Sequence, residues 1–233
     1  MPLISVITVV YNGLDTIEGS ILSVLEQSYK DFEYIIIDGG STDGTLDIIK
    51  KYSEGINYWV SEPDEGIYDA MNKGVTLSQG DYIIFLGCDD VLFDVLHEVA
   101  PLLLNKTTSY YGDVVLSKSN EVYGGKFYPL KLFSKNIPHQ AIFYSRNVFD
   151  GNGFDLKYVA VADYAFNLKA FSRQEHGFSY IPKIIAKYNN ESGISSTVVD
   201  QAFSLDKPRI IRENYKLTYY VIYMILRFVF KKN

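Results

Sequence analysis

The sequence has one cysteine and three histidines in 233 residues. That scarcity excludes an internal disulfide and a zinc cluster of the Cys/His kind. Neither G-x-G-x-x-G nor G-x-x-x-x-G-K-[ST] occurs, so the dinucleotide fingerprint and the nucleoside-triphosphate loop are both disfavoured. An excess of positive charge is also missing. The formal net charge is −6, which argues against nucleic acid as the main partner. The opening MPLISVITVVYN has no basic leader and no small-residue cleavage site, so it is expected to be a first strand and not a signal peptide. Low-complexity linkers and internal repeats are absent as well.

What is present reads as a packed α/β protein. Hydrophobic residues make up 47% of the chain and charged residues 21%, enough for a core and too apolar for disorder. Leu3 to Val10 is rich in β-branched residues and breaks at Tyr11-Asn12-Gly13, the pattern of a buried strand ending in a loop. Ile17, Ile21, Val24 and Leu25 share one helical face. Strands are expected over Phe32 to Ile37, Ile56 to Val60 and Tyr82 to Leu86, with helices from Leu46 to Tyr52 and from Ile67 to Leu77. This repeated alternation implies a mostly parallel central sheet flanked by helices. The second half is less regular: strands with a turn over Ser109 to Tyr128, a helix over Val161 to Phe171, and a last strand over Tyr180 to Tyr188. One domain is expected over 1–214, with a nucleotide-binding half (1–105) and an acceptor-binding half (106–214).

Three expected strands end in polar residues: Asn12, Asp38 and Asp89-Asp90. In open α/β sheets the ligand site lies beyond the carboxyl ends of the strands, so these residues should converge. Adjacent carboxylates on such a loop suit a hard divalent cation, Mg²⁺ or Mn²⁺, beside a diphosphate, one carboxylate on the metal and one on a ribose hydroxyl. A solvated turn is the plain alternative. Tyr11 offers a ring for a nucleobase and Asp38 a carboxylate for a base N–H, or else Asp38 simply forms the turn before Gly39-Gly40. Asp64 and Gly66 precede a helix N-terminus, where backbone N–H groups suit an anion. Asp69 and Lys73 stand four apart on that helix and can pair on its surface.

ISVITVVYN, IIIDGGSTDGT, SEPDEGIYDAMNKG and GDYIIFLGCDD, in this order, resemble the family 2 glycosyltransferases of GT-A fold. The match is dense over residues 3 to 90. It continues through Pro138-His139-Gln140, Val161-Ala162-Asp163-Tyr164 and Gly193-Ile194-Ser195-Ser196. The SEPDEGIYDAMNKG run is its most specific piece, similar to bacterial enzymes that build O-antigen and capsule repeats on a polyprenyl-diphosphate carrier. The resemblance implies a UDP-sugar donor, a lipid-linked saccharide acceptor, inversion at the anomeric carbon, and Mn²⁺ or Mg²⁺. It implies that Tyr11 and Asp38 hold the nucleobase, Asp89 approaches the ribose, and Asp90 binds the metal with Asp89 beside it. His139 and Gln140 would lie near the diphosphate and the acceptor, His139 being otherwise a hydrogen-bonded structural residue. Asp163 would be the general base, against the alternative of a helix N-cap. The family's Asp-x-Asp motif carries Cys88 at its first position here, which leaves fewer carboxylates for a metal. Two rivals remain at this stage: a sugar-phosphate nucleotidyltransferase, and a binding module without activity on the same fold.

The segment 215–233 differs from the rest. Leu217 to Phe230 is strongly apolar, with Arg227, Lys231 and Lys232 at its end. It is shorter than the roughly 20 apolar residues of a membrane span. It is expected to be a helix, either lying in the interface of the cytoplasmic face of a membrane or packed on protein.

Overall fold

A computed structural model describes residues 3–173, 177–191 and 198–230. The Gly193-Ile194-Ser195-Ser196 run, His176, Lys231 and Lys232 lie outside the described residues.

The first half alternates as its sequence implies. Strands β1 (Ile4–Val10), β2 (Phe32–Asp38), β3 (Tyr58–Ser61) and β4 (Tyr82–Gly87) pair in parallel in the order β3-β2-β1-β4. Helices α1 (Ile17–Leu25), α2 (Thr45–Lys51) and α3 (Ile67–Leu77) connect them. Every residue of β1 is buried, because a central parallel strand is covered on both faces. Its side chains still separate by parity. Ile7 and Val9 join Ile35, Ile37, Ile83 and Phe85 in a core beneath α3. Ile4, Val6 and Val10 join Tyr34, Ile36, Ile84 and Leu86 in a core that includes Ile17, Ile21 and Val24 of α1. Gly74 lets α3 sit directly on the sheet, since a Cβ there would come 2.5 Å from Ile7 Cγ2.

The chain beyond β4 joins the same sheet. It adds β5 (Val91–Leu92), β6 (Ser109–Leu116), β7 (Val122–Tyr123), β8 (Ile142–Ser145) and β9 (Phe178–Tyr188). The full order is β3-β2-β1-β4-β8-β6-β9-β5, with β7 on β6. Here the pairing is antiparallel except between β6 and β9, so the parallel character belongs mainly to the first half. The turn expected within Ser109 to Tyr128 falls at Ser117–Glu121, where Leu116 N–H donates to Glu121 O. Short helices α4 (Leu96–Val99) and α5 (Pro129–Leu132) precede the longer α6 (Ala162–Ser172), which packs on the α3 side through Ala165, Phe166 and Leu168. Helix α7 (Gln201–Asn214) lies against α6, and α8 (Leu217–Phe230) lies against α5 and α7. Among the described residues no helix is long and apolar enough to cross a membrane.

Candidate active site

The parallel register fixes what meets at the carboxyl edge. Val10 lies opposite Asp38 and Val9 opposite Gly87, so the loops after β1, β2 and β4 emerge side by side. They border a cleft of about 450 Å³ that Tyr11, Asn12, Asp64, Gly66, Cys88 and Asp89 help to line. Tyr11 is 65% exposed, presenting its ring at the cleft. Asn12 takes a left-handed backbone (φ 50°) and ties β1 to β2: its side-chain oxygen accepts from Thr42 N–H and its own N–H donates to Ser41 Oγ.

Asp38 is wholly buried and organises the β2 loop. Its Oδ2 accepts from the Gly40 and Ser41 N–H groups and from Ser61 Oγ, and Oδ1 accepts from Ser41 Oγ at 2.5 Å. The turn-forming reading of Asp38 is the one seen, and Asp38 is not among the residues lining the cleft. Asp64 seats its carboxylate over Gly39, where a Cβ would come 2.6 Å from Oδ2, and its Oδ1 accepts from Gly66 N–H. Lys73 pairs with Glu62 at 3.0 Å and Asp69 at 3.5 Å and donates to Pro63 O. Together these contacts fasten the Ser61–Gly66 loop to α3, so Asp69 and Lys73 stand beside the cleft as an ion-paired clasp and are not among its lining residues.

The two carboxylates after β4 differ. Asp89 is half-buried and lines both the cleft and a neighbouring recess with Ser117 and Lys187; its Oδ2 accepts from Asn189 Nδ2. Asp90 is buried and turned inward. Its Oδ2 accepts from Gly87 N–H and Gln140 Nε2, and its Oδ1 from Asn189 N–H at 2.7 Å. Burial first, and the charge of Asp89 second, push its carboxyl up to about 6. Asp90 is thus not part of a solvated turn. Cys88 borders the cleft, half-buried, and burial pushes its thiol up to about 12, which disfavours the thiolate.

A second pocket, of about 330 Å³, opens beside His139 and Gln140 and is walled by Tyr68, Tyr123, Asp163 and Tyr164. Asp163 sits inside the first turn of α6 and makes no capping bond; the N-cap is Val161, which corrects the capping alternative. Its carboxylate instead reaches three donors. Tyr68 Oη donates to Oδ1 at 2.9 Å, Asn136 Nδ2 donates to Oδ2 at 2.8 Å, and His139 Nδ1 lies 3.2 Å from Oδ2. Burial pushes the His139 ring down, but the hydrogen bond to Asp163 and the charges of Asp163, Asp90 and Asp89 outweigh it and raise the ring overall. His139 and Gln140 thus stand between the two sites, one side chain on Asp163 and the other on Asp90.

Residues 5–174 match the family described as Glycosyl transferase family 2. The chain belongs to that family. This family 2 glycosyltransferase is 37% identical over 225 residues to a PGL/p-HBAD biosynthesis glycosyltransferase of Mycobacterium bovis, covering 93% of this chain and 88% of that one. Its fold is GT-A, shared with solved glycosyltransferase structures. S. aureus TarS superimposes with a TM-score of 0.75 at 20% identity, covering 91% of this chain and 39% of that one. A mannosyltransferase from Pyrobaculum calidifontis, in complex with GDP-Man and Mn²⁺, superimposes with a TM-score of 0.61 at 16% identity, covering 90% and 62%. The chain therefore spans well under half of TarS.

The candidate site contains residues that sequence reasoning passed over. Asn189 bonds to both Asp89 and Asp90, and Asn136 and Tyr68 hold Asp163. Asn189-Asn190 follows the end of β9 as Tyr11-Asn12 follows that of β1, so the same strand-end signal marks it. Nothing local marks Asn136. As for a metal, no group of three or more His, Cys, Asp or Glu side chains clusters suitably among the described residues. The half-buried Asp89 carboxylate, which lines the cleft, is still an oxygen donor of the kind Mg²⁺ and Mn²⁺ take, with further ligands supplied by phosphate and water.

Proposed function

We propose that this glycosyltransferase transfers a hexose or N-acetylhexosamine from a UDP-sugar, with inversion, to a saccharide carried on a polyprenyl diphosphate. The setting is assembly of a bacterial surface polysaccharide such as O-antigen or capsule, at the cytoplasmic face of the membrane. The observation that carries the mechanism is the buried Asp163 carboxylate, held by three donors in a pocket adjoining the cleft at the strand ends.

The nucleotide occupies the cleft, its base on the Tyr11 ring, in the edge shaped by the Asn12 and Asp38 turns and the Asp64–Gly66 loop. Asp89 meets the ribose and diphosphate side. A bound Mg²⁺ or Mn²⁺, held by Asp89 and steadied behind by Asp90, would neutralise charge on the diphosphate. Asp163 accepts the proton of the acceptor hydroxyl as that oxygen bonds to the anomeric carbon. The bond from that carbon to the diphosphate oxygen breaks, and UDP leaves with the electron pair. His139, its ring raised despite burial by the hydrogen bond to and charge of Asp163, would when protonated place positive charge between the pocket and the cleft, near the departing phosphate. TarS, solved with UDP-GlcNAc, supports the choice of nucleotide, and the Mn²⁺ in the archaeal mannosyltransferase supports the cation.

Family membership and the lack of any basic residue from Tyr11 to Asp15 favour transfer over a nucleotidyltransferase reaction. The deciding experiment is UDP release from UDP-Glc, UDP-Gal, UDP-GlcNAc and UDP-GalNAc with Mn²⁺ or EDTA. Cation-dependent release from one donor supports the reading. Silence from all four, with no UDP binding by calorimetry in the presence of cation, rejects it.

A further inference from the structure

Helix α8 is amphipathic in the inverted sense. The residues it turns toward the protein are Tyr219, Tyr220, Tyr223 and Arg227, all partly buried. Phe133 packs edge-on against Tyr215, Tyr219 and Tyr223, with centroids at 4.8, 6.4 and 5.8 Å, and Arg227 reaches back to Ser204 O. The solvent side carries Leu217 (70% exposed), Val221, Ile225 (57%), Phe228 (65%) and Val229, with no charged residue among them. A surface helix stabilised only by its own domain places its polar face outward. Here aliphatic side chains meet water over the helix's whole described length, so a further surface covers them.

The neighbourhood indicates which surface. On α7 the exposed Leu205, Arg209 and Arg212 recur at i, i+4 and i+7, one stripe of the helix, and exposed Lys216 follows before α8. Arg209 also pairs with Asp206 at 3.2 Å, and Glu213 is the exposed acid beside them. This is a cationic margin on a chain whose net charge is −6. A face on a helix of about 21 Å by roughly 10 Å covers about 200 Å², against about 800 Å² per partner in a stable dimer. An apolar face that follows exposed Arg209, Arg212 and Lys216 in the chain, on a helix not long and apolar enough to cross a membrane, suits the interface of an anionic bilayer.

We infer that α8 lies in the surface of an anionic lipid bilayer, its Leu217–Val221–Ile225–Phe228 face among the acyl chains and the α7 basic stripe on the headgroups. The placement bears on the acceptor pocket. Tyr164, a wall of that pocket, donates to Leu132 O and accepts from Lys207 of α7, and Phe133 is next in the chain. The aromatic layer of Phe133, Tyr219 and Tyr223 on the inner side of α8 thus adjoins the Leu132 carbonyl that holds Tyr164. The docking stands whether or not the acceptor assignment does, because its readout is lipid binding alone.

The test is co-flotation of the full chain with vesicles of phosphatidylcholine alone and of phosphatidylcholine with phosphatidylglycerol. Binding is expected on the anionic vesicles and to weaken with salt. Ile225→Glu with Phe228→Glu should reduce it at least about tenfold, with an unchanged melting temperature because both side chains are exposed. Arg209→Gln, Arg212→Gln and Lys216→Gln should each cost roughly fivefold. Absence of flotation, or flotation indifferent to Ile225→Glu with Phe228→Glu, overturns the inference. So does a dimer in sedimentation that the same pair of substitutions dissolves while vesicles stay bare, which would mean that a second copy covers the face.

Discussion

Tyr68 Oη lies 2.9 Å from Asp163 Oδ1, across 95 residues of sequence. The same helix, α3, lines the cleft at the strand ends with Ile67 and Ala70, so one rigid element serves the cleft with one face and the carboxylate in the second pocket with another. The hydroxyl also lies 3.0 Å from Ala160 O, just before α6. Tyr68 is buried, and burial together with the Asp163 charge raises its hydroxyl well above the ordinary tyrosine range, so it stays a donor.

Tyr68→Phe removes that donor and little else. A hydrogen bond to a charged acceptor contributes about 1.5–3 kcal/mol. With Asp163 less firmly oriented, kcat is expected to fall roughly tenfold while KM for the donor and UDP affinity stay unchanged. A rise in donor KM with constant kcat would show that Tyr68 serves the cleft instead.

Asp163→Asn keeps the shape and removes the proton acceptor. Turnover is expected to fall by about 10²–10⁴, with UDP binding by calorimetry intact. Retained turnover would remove Asp163 from the mechanism and with it the inverting assignment made here.

Asp89 and Asp90 should separate by phenotype. Asp89→Ala strips the carboxylate that faces the cleft, so cation dependence and donor hydrolysis are lost with a near-native urea midpoint. Asp90→Ala leaves the Gly87 and Asn189 N–H groups and the Gln140 amide without their acceptor. It is expected to destabilise the fold by about 3 kcal/mol, read from urea unfolding. The reverse pattern would place the cation on the inner carboxylate.

Lys207 sets a pH dependence of stability. Its ammonium is pushed down to about 8, first by burial and then by Arg227, while it sits 4.3 Å from the Tyr164 ring centroid. An unfolded lysine titrates near 10.4. Between those values the unfolded chain holds the extra proton, so stability rises as pH climbs from about 8 to about 10. Below 8 both states are charged and the full desolvation cost remains. Urea midpoints at pH 7 and pH 10 should differ more for the native chain than for Lys207→Met, by roughly 2 kcal/mol. Equal pH responses would show that Lys207 is solvated in the folded state.

The first four strands and the meeting of their ends at Asn12, Asp38 and Asp89-Asp90 were legible in the sequence, because buried parallel strands are continuous apolar runs and their ends are marked by Asn, Asp and Gly; that Asp38 and Asp90 turn inward, leaving Asn12 and Asp89 on the cleft, was not. Strand boundaries shifted slightly, as at β3, which runs Tyr58–Ser61 instead of Ile56 to Val60. The position of Asp163 near a helix start was legible too; which way its side chain turned was not. A residue at N2 either caps its own helix or reaches across the fold, and only the placement of Tyr68, Asn136 and His139 decides between them.

By itself the sequence determined the family, the parallel half of the sheet and the residue types at the strand ends, since these follow from local pattern and chain order. Tertiary structure alone decided which carboxylate faces the cleft, because Asp89 and Asp90 are neighbours whose side chains part only when Gln140 and Asn189, 50 and 99 residues beyond Asp90, arrive to bond the inner one. It likewise decided which face of α8 meets solvent: with apolar or tyrosine residues nearly all round, the helix takes its orientation from the aromatic pocket at Phe133, and that leaves the aliphatic face outward.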